Sequence, residues 1–491
     1  MNIVDTLMQG GRQRSRSMSD AGSPTASSPA DYALPAVTAD RRALARAWLL
    51  LALAALLGSG LFSVLLVLAR TPGVNALLPA GDFFRVALVV HVDLSVLVWF
   101  VAIAGLLWSL NQRPSATRAG RLAARAPLLL CGLGAFGMAL AAFVDPGQAV
   151  MANYIPMLDS ATFRGALWLF AAGALLLVLQ GLLRAAPVGP VVDGTGALRF
   201  GLHASVVAAG VALLAFAWSL AVVPTSLPAK AYYEILYWGG GHALQFTWTL
   251  MMLVSWLALA QACGGRVPLS PRMVLMLFAI ALVSVFATPL AYLMHEVSTV
   301  EHRDMHTWAM RFGGGLAIAP LALAVLLALA PLRGLAPAQR PLRATLLASM
   351  LLFVAGGVIG LGIQGSNVKI PAHYHGCIVG VTLALMGVVC QLLPKLGYAA
   401  PAGRMAVLQP WLYGGGQLLH IVGLVWSGGY GVQRKVAGAE QVLRSAGEVA
   451  GMGLMGLGGL LAIVGGLLFA LVVVGAMRGA RSQALDGSTA R

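Results

Sequence analysis

Apolar residues run along this chain in blocks too long for a soluble core. Blocks of spanning length fall at about 46–69, 84–110, 124–144, 163–184, 199–223, 234–262, 272–298, 306–332, 343–366, 371–394, 405–427 and 450–477. A helix rises 1.5 Å per residue and needs roughly twenty residues to cross hydrocarbon. The short alternating segments of a membrane β-barrel are a different pattern. Pro, Gly and polar clusters such as Pro114-Ser115 and Gly264-Gly265 punctuate the blocks. The pattern predicts an all-α integral membrane protein with about twelve transmembrane helices in one domain, residues 44–478. Residues 1–43, rich in Ser, Ala, Arg and Pro, read as a disordered tail, and 479–491 as a second tail.

Composition agrees: 59% of residues are hydrophobic and only 10% charged, where soluble domains carry about a quarter. The net charge of +16 would suit nucleic acid, but its placement points to membrane lipid instead. Arg12, Arg14, Arg16, Arg41 and Arg42 precede the first span, and Arg478, Arg481 and Arg491 follow the last. The connections on that side are also Arg-rich, whereas Asp82, Asp145, Asp159, Glu234, Glu301, Asp304, Glu440 and Glu448 fall on the other. The positive-inside rule then puts both termini in the cytoplasm, as in a multi-pass protein of a bacterial inner membrane. Cys131, Cys263, Cys377 and Cys390 are scattered, with no CxxC or CxxCH, and read as small apolar residues.

Six of the nine histidines, His91, His242, His295, His373, His375 and His420, sit in strongly apolar stretches. Imidazole is costly to bury without a partner, and ionisable groups within a bilayer mark function. With helices alternating in direction, every histidine except His203 falls in one layer near the outer face. His302 and His306 belong to this layer, around the connection into the eighth helix.

Two motifs divide the layer. In Ala372-His373-Tyr374-His375 the imidazoles are ~200° apart on a helix and cannot chelate one ion. Each can instead serve as axial ligand to its own haem, with His91 the best second ligand for one of them. The plainer reading is a pair of core histidines bonded to polar neighbours. The second motif joins Gly239-Gly240-Gly241-His242 to Met294-His295-Glu296-Val297. Two imidazoles and a carboxylate suit a first-row transition metal, and the carboxylate favours iron over copper. The glycines let a large cofactor approach the backbone.

Together these motifs resemble subunit I of the haem–copper oxidase superfamily, which includes the nitric oxide reductases, over about residues 44–478. The resemblance implies a twelve-helix haem–copper oxidase-like bundle with a low-spin haem, a high-spin haem and one non-haem metal, iron or copper. It implies His91 and His375 as low-spin haem ligands and His373 as the high-spin haem ligand. His242, His295 and Glu296 match the second-metal positions, and Arg434 and Lys435 resemble the basic pair that binds haem propionates. His420 has no clear family role and reads as a core or haem-edge histidine.

The departures bear on the reaction. Oxidases typically carry a string resembling HHMFTV where this chain has HEVSTV, so Glu296 replaces a histidine. Phe246 stands where many oxidases have a redox tyrosine, although Tyr292, one turn before Glu296, matches the position used in another branch. Ser366 stands where a metal-binding Asp is common. On these residues the expected function is reduction of nitric oxide to nitrous oxide, with Glu296 as catalytic group. The alternative is a terminal cytochrome c or quinol oxidase that reduces O2 to water. Electrons are expected from a subunit II, cytochrome c or cupredoxin on the outer face, or directly from quinol. A haem sensor or a transporter is the reading outside enzymology.

Overall fold

The computed structural model describes residues 31–74, 82–115, 117–364, 367–434, 436 and 441–489. Eleven helices are long and apolar enough to span a bilayer: α1 (Ala39–Leu68), α2 (Phe83–Leu110), α3 (Arg118–Val144), α4 (Ala161–Leu183), α5 (Gly194–Val222), α6 (Ala229–Ala262), α7 (Pro271–Met294), α8 (Val300–Leu329), α9 (Gln339–Leu361), α10 (Lys369–Leu392) and α12 (Ala446–Gly479). A further helix, α11 (Arg404–Gly429), occupies the place of the eleventh expected span. It falls short in apolarity because it carries polar groups that its neighbour satisfies. Gln409 donates from Nε2 to the Gly465 carbonyl (3.2 Å), and His420 Nδ1 lies 3.0 Å from the Met455 carbonyl.

Burial ranks the helices. The apolar stretch of α6 is 89% buried, that of α10 72% and that of α2 67%, against at most 44% in any other of the eleven. These three central helices carry His242, His373, His375 and His91. The outer helices turn large apolar side chains such as Leu61, Leu133, Phe136, Trp168 and Leu183 outward, as a lipid-facing surface requires.

Three local departures shape the site. α2 contains a π-helical segment, Asp93–Val98, immediately after His91. α7 is interrupted at Phe286, because Pro289 has no N–H for the Val285 carbonyl. It then ends at Met294, with His295 extended at φ −138°, ψ 143°. The expectation of helix to about 298 therefore fails, and so does that of a start at about 306 for the next span. Thr299 caps α8, its Oγ1 accepting from His302 N (3.3 Å), and draws the helix start forward to Val300. Between α3 and α4 a hairpin also forms, β1 (Gln148–Val150) pairing antiparallel with β2 (Met157–Asp159).

Backbone proximity locks α9 to α10. A Cβ on Gly356 would lie 2.5 Å from Cys377 N and 2.8 Å from the His373 carbonyl oxygen, and Gly376 faces it equally closely. Small residues at such crossings let dispersion and hydrogen bonding act between helices where no hydrophobic drive exists. Gly356→Val should force the pair apart and cost about 1–3 kcal/mol. The expected outcome is a lower melting temperature in detergent, measured by tryptophan fluorescence, than for a Gly357→Val control, where the added Cβ meets nothing within 4 Å.

Candidate functional site

α6 presents Glu234, Trp238 and His242 at four-residue intervals, hence on one face. His242 Nδ1 lies 2.8 Å from the Trp238 carbonyl. A carbonyl only accepts, so Nδ1 carries the ring proton and Nε2 keeps its lone pair. The early start of α8 places His302 and His306 one turn apart on a common face, 1% and 2% exposed. His306 Nδ1 donates to the His302 carbonyl (2.8 Å). Ring centroids are 5.9 Å apart for His242 and His306 and 4.6 Å for His302 and His306. Tyr292 closes the group, its ring edge-on to both α8 imidazoles at 4.7 and 5.9 Å. The Tyr292 hydroxyl bonds Ser219 Oγ (2.6 Å) and donates to the Ala215 carbonyl (3.1 Å).

His306 Nε2 and both ring nitrogens of His302 are buried without a hydrogen-bond partner. Leaving such atoms unmade costs on the order of 1–3 kcal/mol each, a cost a coordinated ion removes. Nitrogen ligands about 2.0–2.1 Å from a shared tetrahedral ion put ring centroids roughly 5 Å apart, and the observed spacings bracket that value. Among the described residues no three His, Cys, Asp or Glu side chains already converge on one point, so the rings must pivot inward to share an ion. The donor chemistry fits.

A second group forms among α2, α10 and α11. His91 Nδ1 lies 2.9 Å from Ser59 Oγ and 3.0 Å from the Ser59 carbonyl, His373 Nδ1 lies 2.8 Å from the Gly356 carbonyl, and His420 Nδ1 is held by Met455 as described. Each is therefore set with Nε2 available, the tautomer that metal-binding histidines adopt. His375 stacks on Tyr374 (5.3 Å) and lies 5.0 Å from the His420 ring. His373 instead turns toward α9, so the two histidines of the motif diverge as their spacing requires.

The structure does not bring Glu296 to either group. Its side chain is exposed and His295 half-buried, both beyond the end of α7. Arg434 donates from Nη1 to Asn153 Oδ1 at 3.5 Å, while Lys435 and Ser366 lie outside the described residues. Sequence reasoning left four residues out of the site. Arg70, just past α1, donates from Nε to Gln441 Oε1 (3.3 Å) and interacts electrostatically with Tyr374 beside His375. His302 and His306 were placed in a connection, although a Thr cap followed by a histidine pair at i, i+4 is a readable signal. Tyr154, at the hairpin tip, reaches His242 with its hydroxyl 2.8 Å from Nδ1 and 3.1 Å from Nε2. Burial and the neighbouring Glu234 raise the pKa of this phenol, so it keeps its proton at neutral pH. No motif in the sequence marks it.

Comparison with known proteins gives a consistent outcome. Residues 43–474 match the family described as Cytochrome C and Quinol oxidase polypeptide I. An uncharacterized protein of Rickettsia prowazekii (strain Madrid E) is 27% identical over 494 residues, covering 87% of this chain and 95% of its own. One of Aquifex aeolicus (strain VF5) is 27% identical over 368 residues, covering 74% and 88%. A heme-copper terminal oxidase dimer solved by cryo-EM shares the fold with a TM-score of 0.64 at 16% identity, over 90% of this chain and 84% of that one.

The geometry makes a prediction about metal. His306→Ala should strip non-haem metal from the purified protein, measured by mass spectrometry of metals against haem content. His295→Ala should leave the ratio near the wild-type value; the opposite pattern would return the site to the end of α7.

Proposed function

Because the chain belongs to the cytochrome c and quinol oxidase polypeptide I family, whose members are respiratory oxidoreductases, we propose that it is the catalytic subunit of a terminal oxidase reducing O2 to water. The observation that carries this reading is the buried all-imidazole group His242, His302 and His306, with Tyr292 against it and Glu296 outside it. Three imidazoles suit copper better than iron, since a carboxylate is the harder donor. In this proposal His91 and His375 hold the low-spin haem, His373 holds the high-spin haem, and the α6 and α8 histidines hold the second metal.

When bound, the haems and metal supply electrons and hold the diatomic substrate. The chain's own part is to aim and insulate. Backbone carbonyls fix the Nδ1–H of His242, His306 and His373, so each imidazole offers one nitrogen in one direction. Tyr292 brings an O–H bond, a source of one electron and one proton, beside His302, and Ser219 and Ala215 hold that hydroxyl in place. Arg70 and Arg434 offer guanidinium groups to haem propionates near Tyr374 and the hairpin. Glu296, Glu301 and Asp304 are exposed at the same end of the bundle and suit a docked basic electron donor, with the cytoplasm at the opposite, Arg-rich end.

A second reading, reduction of two NO to N2O and water, is favoured by Phe246, which is buried where a tyrosine is usual, and by the Glu296 substitution itself. Anaerobic NO consumption measured against O2 consumption by the purified protein separates the two. We expect faster O2 turnover, near wild-type O2 turnover for Glu296→Gln, and a large loss for Tyr292→Phe. Dominant NO turnover that collapses in Glu296→Gln would reverse the assignment.

A further inference from the structure

The hairpin between α3 and α4 lies along α6 in register with its functional face. Asn153 N donates to Glu234 Oε2 (3.0 Å), and the Asn153 side-chain amide bonds the other carboxylate oxygen. Tyr154 then packs edge-on to Trp238 (6.2 Å between centroids) and reaches His242. Its ring fills the space over Gly241, where an added Cβ would collide with the ring carbons. Among the described residues Tyr154 is the one non-glycine residue with positive φ, at 67°. Such a conformation in a bulky residue persists only where its surroundings over-determine it, and marks functional sites.

We propose that Tyr154 is a positioning residue for the second metal, holding His242 from the hairpin. The Trp238 carbonyl and the Tyr154 oxygen share the Nδ1 proton at 2.8 Å each. Gln245 Nε2 donates to the same phenol oxygen at 3.4 Å. A metal taking Nε2 leaves the contact to Nδ1 in place, so the ring stays aimed. The wedge over Gly241 and the Asn153–Glu234 anchor hold the hydroxyl there. This inference rests on the reading of His242 as a ligand of the second metal.

The test uses the purified full-length protein with Tyr154→Phe, which keeps the ring and deletes the hydroxyl. Chelator titration of the non-haem metal should show affinity reduced by about 10–100-fold, the usual effect of losing an outer-shell partner. The infrared band of CO moved by low-temperature photolysis from the high-spin haem onto the second metal should shift or broaden, which a purely structural role would not produce. Gly241→Ala, which expels the ring but keeps the phenol on the chain, should do the same, and an unchanged low-spin haem spectrum certifies folding of both. Wild-type chelator resistance and an unchanged CO band in a folded Tyr154→Phe protein would overturn the inference. His242→Ala is the discriminating control: if it retains the metal, the second-metal assignment itself fails.

Discussion

The aim of most of the buried histidines depends on one recurring contact, an imidazole Nδ1 held by a backbone carbonyl. His91, His242, His306, His373 and His420 all make it, to Ser59, Trp238, His302, Gly356 and Met455. A carbonyl cannot donate, so the contact selects one tautomer and leaves the other nitrogen with its lone pair. It also settles a conflict inherent in membrane folding. A buried polar group needs a partner, whereas a ligand needs a free one, and the two ring nitrogens divide those duties.

α2 and α10 take their carbonyls from less buried neighbours, Ser59 of α1 for His91 and Gly356 of α9 for His373, while α6 supplies its own through Trp238 and Met455 of α12 serves His420 on α11. Small residues at the crossings let these partners approach, so packing and chemistry are set by the same positions.

Much of this was legible in the sequence. The length and spacing of the apolar blocks foretold the helices. The angular argument for His373 and His375 also carried through, since helix geometry alone decides it. What could not be read depended on helix ends and on contacts across the fold. His295 and Glu296 looked helical because they follow an apolar block, yet α7 stops at Met294 and a threonine cap starts α8 early. A helix end at Met294 rather than about 298 and a helix start at Val300 rather than about 306 leave the carboxylate outside the buried group and bring two imidazoles into it. Tyr154 was invisible for another reason: its position depends on a left-handed turn and on a space left by a glycine in a different helix.

Gly356 has one more consequence. Its missing side chain allows α9 and α10 to cross, and its carbonyl holds His373, so the crossing and the aim of that imidazole share one residue. Helices in bilayers tilt to match hydrocarbon thickness. A change in the angle at which α9 crosses α10 would therefore also change the hydrogen bond that aims the His373 ring.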